Sequence, residues 1–518
     1  MFKFVLRSLP ALVASAVAAS ATVSFGPLFS DHMVLQQGMA APVWGRAEAG
    51  ERITVSFRDL SVSTVTGADG RWSVLLPPLE ASAAGADLVA QGANRIAVHD
   101  VVVGEVWLAS GQSNMEFTVD DPNGEVYRVD RADEEVAAAQ YPSIRQFKVR
   151  RQSSAAPAAT AGGSWAVCSP ETVRAFSAVA YFFARDLHRR LGVPVGIVDS
   201  TWGGTPVESW MDPMALASDP RFAGWAENRN AYPNLESQWR AELAKWRIGL
   251  EAAHRRGPTA YALYRHSHAR PPEPAGPNPD RAGSPWRPGS LYNGMIDPLL
   301  PYAFRGVIWY QGESNTDEPE HYHALFAAMI QGWRAHIGEG NLPFFWVQLP
   351  GYAAAGDASR VSWARLREAQ EQTLDLPDTG EVVTLDLGDG SNIHPRDKQE
   401  VGRRLALLAK ALVYGIRVDW SGPVFDHAVR EGGAVRVYFH FADAGLTAGA
   451  RPLQSFELAG PDGRFYPASA SITGSTVVVR SPNVPAPTAI RYAWRDAPDA
   501  NLFNGAGLPA APFRARVD

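Results

Sequence analysis

The chain has 518 residues and a formal net charge of -6, with 46% hydrophobic and 20% charged residues. That length suits two to four domains with substantial cores. The mild acidity provides no broad electropositive field, which argues against nucleic acid or an anionic membrane as a partner.

Residues 1–21 read as a secretory signal. Lys3 and Arg7 precede an alanine-rich apolar run, and Ala19-Ser20-Ala21 is a small-x-small cleavage site. The expected location is therefore periplasmic or extracellular. Cys168 is the single cysteine, so no internal disulfide can form and stability must come from packing.

Residues 22–103 show short strands separated by turns, and they are expected to form an N-terminal β-sandwich. Val43-Trp44-Gly45, Ile53-Thr54-Val55-Ser56-Phe57 and Trp72-Ser73-Val74-Leu75 carry the β-branched and aromatic residues, with Ala49-Gly50-Glu51 and Ala68-Asp69-Gly70 between them. Leu28-Phe29-Ser30-Asp31-His32-Met33-Val34-Leu35-Gln36 is assigned to packing between domains.

An apolar run at 101–108 then ends in Ala109-Ser110-Gly111-Gln112-Ser113-Asn114-Met115. Such a change lifts a serine to the carboxyl end of a buried strand, and Ser113 is the candidate nucleophile. A serine hydroxyl needs a general base and donors for a developing oxyanion.

From there to residue 415 helices and strands alternate. Phe176, Val179, Phe183, Leu187 and Leu191 recur at helical spacing before the strand Val195-Gly196-Ile197-Val198. Strands at 306–310, 344–347 and 381–385 alternate with helices near 320–337 and from Trp363. Repeated βα units imply a parallel sheet covered by helices, with its site at the carboxyl ends of the strands.

Those strand ends carry Trp202-Gly203-Gly204-Thr205-Pro206, Gln311-Gly312-Glu313-Ser314-Asn315 and Gly388-Asp389-Gly390-Ser391-Asn392-Ile393-His394-Pro395. His394 is the candidate general base. It precedes a helix capped by Asp397 with Glu400 three residues on, whose apolar face is Val401, Leu405, Leu408 and Leu412.

An insertion at about 214–287 interrupts the alternation. Trp239, Leu243, Trp246 and Leu250 are helically spaced, and the rest is rich in proline and arginine. Trp202, Trp210 and Tyr292 are candidates for stacking on sugars, against a core role for each. The pairs His266/His268 and His321/His323 lack carboxylate partners at metal-site spacing, so no metal is expected. Residues 416–518 return to β patterning, in Val435-Arg436-Val437-Tyr438-Phe439, Thr476-Val477-Val478-Val479 and Ile490-Arg491-Tyr492.

Four blocks carry a family likeness: Gly-Gln-Ser-Asn-Met at 111–115, Trp-Gly-Gly-Thr-Pro at 202–206, Tyr-Gln-Gly-Glu-Ser-Asn at 310–315 and Ile-His-Pro-Arg-Asp-Lys-Gln at 393–399. In this order they resemble the sialate O-acetylesterase family, within the SGNH superfamily of carbohydrate esterases. The resemblance implies an SGNH-type, flavodoxin-like parallel-sheet domain at 104–415, flanked by β-domains at 22–103 and 416–518.

It further implies hydrolysis of acetyl esters on an oligosaccharide or glycan, without a cofactor, through Ser113 and His394. The oxyanion donors would be Ser113 N–H, an amide of Gly203 or Gly204 with Gly204 favoured, and Gln311 from the third block. For a third member orienting the imidazole, Asn392 and Asp389 are candidates, with Asp386 and Glu313 further off; a dyad held by a backbone carbonyl is the other arrangement. The alternative function is a carbohydrate-binding protein that keeps the esterase fold with little turnover.

Overall fold

A computed structural model describes residues 22–121, 127–218, 222, 232–257, 260, 264, 283–338, 340–353 and 360–517. The leader assigned to residues 1–21, the His266/His268 pair and most of the proline-rich insertion lie outside the described residues.

Seven strands build the central sheet: β1 (Arg95–Gly111), β2 (Ile144–Val149), β3 (Gly163–Val167), β4 (Val195–Thr201), β5 (Gly306–Tyr310), β6 (Phe344–Val347) and β7 (Thr379–Val382). They lie side by side as β3-β2-β4-β1-β5-β6-β7. All pairings are parallel except β2 with β3. Without the edge hairpin β2–β3, the other five strands follow the 2-1-3-4-5 order of flavodoxin-like sheets. From β1 the chain runs to β2, β3 and β4 on one side and then crosses to β5 on the other, so a crevice opens at the carboxyl end of β1.

Five helices matter for the site: α1 (Ser113–Glu116), α2 (Ala178–Leu191), α3 (Pro319–Ile337), α4 (Ser362–Gln372) and α5 (Lys398–Leu412). Successive strand residues point to opposite faces, and the aromatic contacts show which helix covers which. Trp107 and Phe345 meet each other, and Trp107 meets Phe183 of α2. Phe344, one residue away from Phe345, meets Trp309 and Phe326 of α3. Helix α5 lies against α2 with Gly402 at the crossing, where a Cβ would come within 2.6 Å of Phe182 Cβ.

The expected boundary at residues 103 and 104 falls inside one strand. Up to Val103, β1 pairs antiparallel with Ser82–Gln91; beyond it, β1 joins the parallel sheet. Residues 101–111 are all buried, so one strand serves both layers and their apolar residues form a single core. Val34–Gln36 pairs parallel with β1, and Gln36 Oε1 accepts Val106 N–H at 2.7 Å. His32 pairs with Asp100 at 2.8 Å, consistent with a packing role for its segment.

Residues 424–516 contribute two four-stranded sheets over a second core. Asp496 ties this part to α4 by accepting Trp363 N–H at 2.9 Å. Two expectations are corrected. The strand at 381–385 ends at Val382, because Thr384 turns to donate to Gln348 O and a short helical turn, Leu385–Leu387, follows. On α5, Val401, Leu405 and Leu408 are buried, whereas Leu412 is 46% exposed at the helix end.

Candidate active site

The site begins where a glycine ends β1. Gly111 ends β1 at φ 131°, and a Cβ there would lie 2.2 Å from the Tyr310 carbonyl oxygen, so only glycine lets β1 and β5 run this close. Gln112 N–H then bonds to Tyr310 O at 3.0 Å and the chain turns into α1. Ser113 is the first residue of that helix, and its side chain opens onto the crevice at 8% exposure for the residue.

His394 Nε2 lies 2.8 Å from Ser113 Oγ. Residues 281 apart in sequence are therefore hydrogen-bonded at the carboxyl end of β1. Tyr127 meets the imidazole edge-on, with ring centroids 5.4 Å apart. Burial pushes the His394 pKa down to about 4, and the Lys398 charge adds to the effect. The imidazole is consequently neutral at pH 7 and able to accept a proton.

Two backbone donors on these segments are unengaged. Ser113 N–H, at the first position of α1, and Gly204 N–H have no partner among the described residues. Gly204 sits at φ 72°, a left-handed conformation that suits glycine. Gly203 N–H is engaged instead by Glu116 Oε2 at 2.8 Å. Glu116 in turn accepts from Arg151 Nε at 2.9 Å, and the Arg151 guanidinium lies 5.7 Å from the Trp202 ring centroid.

Gln311 departs from the expected role. It is fully buried, and its amide donates to Thr205 O at 3.2 Å and to Asn315 Oδ1 at 2.7 Å, while its oxygen accepts from Tyr322 at 3.0 Å. Both amide hydrogens are committed, so none points at an oxyanion. Asn315 Oδ1 also accepts Val207 N–H at 3.0 Å. This third block thus supports the glycine loop from beneath.

The structure does not bring the candidate third members to the ring. Asn392 Oδ1 accepts the backbone N–H of His394 at 2.9 Å. Asp389 is exposed and closes its own turn on Ser391 N–H and Oγ. Asp386 forms a two-pronged pair with Arg404 at 2.7 Å, and Glu313 accepts from Asn114. Among the described residues, nothing hydrogen-bonds to His394 Nδ1.

Sequence reasoning missed Asn114, Glu116, Tyr127, Arg151 and Lys398. Asn114 and Lys398 lie inside the quoted blocks, and Glu116 is three residues past Ser113, so their positions were the available signal. Trp210 and Tyr292 are buried and belong to the core, leaving half-buried Trp202 at the rim. His323 faces Asp375 at 3.5 Å, and among the described residues no group of three His, Cys, Asp or Glu is arranged to hold a metal ion.

A mostly parallel sheet covered on both faces, with a serine and a histidine hydrogen-bonded at its switch point, has the layout of an α/β enzyme with its site at the strand ends. Comparison with known proteins makes the class specific. A family model described as carbohydrate esterase, sialic acid-specific acetylesterase, matches residues 282–411. A solved carbohydrate acetylesterase from Xanthomonas citri is 38% identical, with a TM-score of 0.78, and the match covers 95% of this chain and 99% of that one. Sialate O-acetylesterase of Rattus norvegicus is 29% identical over 547 residues, spanning 95% of this chain and 94% of the rat protein. The human enzyme of that name is 29% identical over 444 residues, 77% of this chain and 73% of its own length. The chain belongs to the sialate O-acetylesterase family of carbohydrate esterases.

Proposed function

We propose that the chain hydrolyses acetyl esters on sugars through an acyl-enzyme on Ser113, with His394 as general base and acid. The observation that carries this reading is the 2.8 Å contact between His394 Nε2 and Ser113 Oγ. A neutral imidazole at that distance can take the hydroxyl proton as Oγ attacks the acetyl carbonyl. The oxyanion that forms meets the N–H groups of Ser113 and Gly204, each of which is worth about 3 kcal/mol in such a site.

Collapse of the tetrahedral intermediate breaks the acetyl–oxygen bond, and the imidazolium returns its proton to the departing sugar hydroxyl. Water, deprotonated by the same nitrogen, then attacks the acetyl–serine ester and frees acetate. With no acid at Nδ1 among the described residues, the imidazolium they hold is stabilised less than in a three-membered site. Trp202 and Arg151 at the rim suit a sugar ring with its hydroxyls. The pattern of residues 1–21 supports an exported enzyme.

Acetate release decides the matter. Wild-type protein should free acetate from at least one of O-acetylated sialic acid, acetylated xylan and acetylated xyloglucan fragments, and Ser113→Ala and His394→Ala should not. Glycan binding by a wild type that releases nothing would overturn the esterase reading in favour of a binding protein.

A further inference from the structure

The ester hydrolysis gives no task to a buried cation beside the site. Lys398 opens α5 and is 0% exposed. Its Nζ donates to Asn114 Oδ1 at 2.6 Å and lies 4.9 Å and 5.3 Å from the ring centroids of Phe117 and Tyr310. An ammonium group donates only, so Asn114 must turn its oxygen to Lys398 and its NH2 away. That NH2 donates to Ile393 O at 3.0 Å and to Glu313 Oε1.

Ile393 O and His394 N–H are the two polar groups of one peptide. Asn114 holds the first, and Asn392 holds the second at 2.9 Å. The peptide that carries the base is therefore clamped on both edges, and Asn114 is the residue next to the nucleophile. Serine and histidine share one support.

We infer that Lys398 is a positioning residue for this hydrolysis: by fixing which way the Asn114 amide faces, it clamps the Ile393–His394 peptide and keeps Nε2 on Ser113 Oγ. The inference rests on the Ser113–His394 reading.

The charges facing Lys398 are Glu313 from the turn after β5, Asp397 at the start of its own helix and His394 from the loop before it. Burial pushes Lys398 down to about 7, against the pull of Glu313 and Asp397. Its positive charge in turn holds the His394 pKa down. A neutral amine still donates one hydrogen to Asn114, so the clamp survives deprotonation while the charge beside the imidazole goes.

The test uses full-length protein, with an aryl acetate as substrate, from about pH 4 to pH 9. In Lys398→Met, kcat should fall about tenfold or more with KM within about twofold, the size of effect that a small misplacement of a reacting group produces. The acid limb of kcat/KM should also move to higher pH, because the ammonium beside the imidazole is gone. Asn114→Ala should lower kcat similarly and leave the acid limb in place, since Lys398 remains. Near-UV circular dichroism checks that both variants are folded.

A folded Lys398→Met with kcat within about twofold of wild type and an unmoved acid limb would overturn the inference. If Lys398→Met does not fold, wild-type kcat in Asn114→Ala does so by itself. Wild-type activity that survives Ser113→Ala would instead overturn the reading of the reaction, which separates the two failures.

Discussion

Glu116 is the most informative side chain to remove. Its Oε2 accepts Gly203 N–H at 2.8 Å and its Oε1 accepts from Arg151, so one carboxylate links α1 to the loop carrying Gly204, the proposed oxyanion donor. The Glu116 side chain is 10% exposed and that of Arg151 50%. The bond to Gly203 is thus a buried, charge-assisted one, worth about 1.5–3 kcal/mol. The half-exposed ion pair adds at most about 1 kcal/mol. Glu116→Ala should therefore destabilise the protein by about 2–3 kcal/mol, measured by urea unfolding. For catalysis, complete loss of one oxyanion donor costs about 100- to 1000-fold. The loop keeps other anchors, Trp202 N–H on Gly111 O at 3.1 Å and Val207 N–H on Asn315 Oδ1 at 3.0 Å, so Gly204 shifts without leaving. The expected loss in kcat is about 10- to 30-fold, with KM little changed. Glu116→Gln retains an acceptor for Gly203 and should recover most of it. A folded Glu116→Ala with kcat within about twofold of wild type would refute the reasoning, since Gly204 would then need no such support.

The pH profile tests the buried imidazole. Because His394 is pushed down to about 4, kcat/KM for an aryl acetate should stay level as pH falls from 7 and break near that value; a break near the ordinary 6.5 would contradict the burial. The unfolded chain binds the proton in the interval between those two values, so the His394 contribution to stability falls as pH drops through it. Gln311→Ala removes a hydrogen-bond partner from each of Thr205 O, Asn315 Oδ1 and the Tyr322 hydroxyl, and should lower stability by about 1–3 kcal/mol. A hundredfold loss of kcat at unchanged stability would instead restore Gln311 as an oxyanion donor. Gly402→Ala forces a methyl against Phe182 Cβ, Phe183 N and Val179 O, and should cost about 1–3 kcal/mol in thermal unfolding; an unchanged midpoint would mean that α5 moves freely on α2.

Much of this fold is written in periodicity, which a sequence displays directly. The stripe of Val179, Phe183 and Leu187 gave α2 to within two residues, and Gly192, at φ 72°, ends the helix where expected. Asp397 caps α5 as its spacing indicated, accepting Glu400 N–H at 3.0 Å. The reciprocal half of that cap is absent, because the Glu400 side chain pairs with Arg403 and Arg404. Where a cation competes for a carboxylate, spacing alone does not say which partner wins. The same holds for the boundary inside β1: residues 101–108 read as one apolar run, and the pairing partners that change along the strand lie far away in sequence.

The site divides along a similar line. The positions of Ser113 and His394 could be read because a strand end and the loop before α5 mark them, and the structure brings the two within hydrogen-bond distance. Gln311 could not, since an amide in a polar block can face the crevice or the core, and the choice was made by Asn315, Thr205 and Tyr322. The blocks that resemble the family are therefore of mixed use. In two of them a group at the crevice stands next to a buried one, Ser113 beside Asn114 and His394 before Lys398, and the third block adds the buried Glu313. The inward three meet one another beneath the outward ones, Asn114 touching both Glu313 and Lys398. A substitution in any block can thus act through the chemistry or through this buried contact, and only a readout that follows the charge on His394 separates the two.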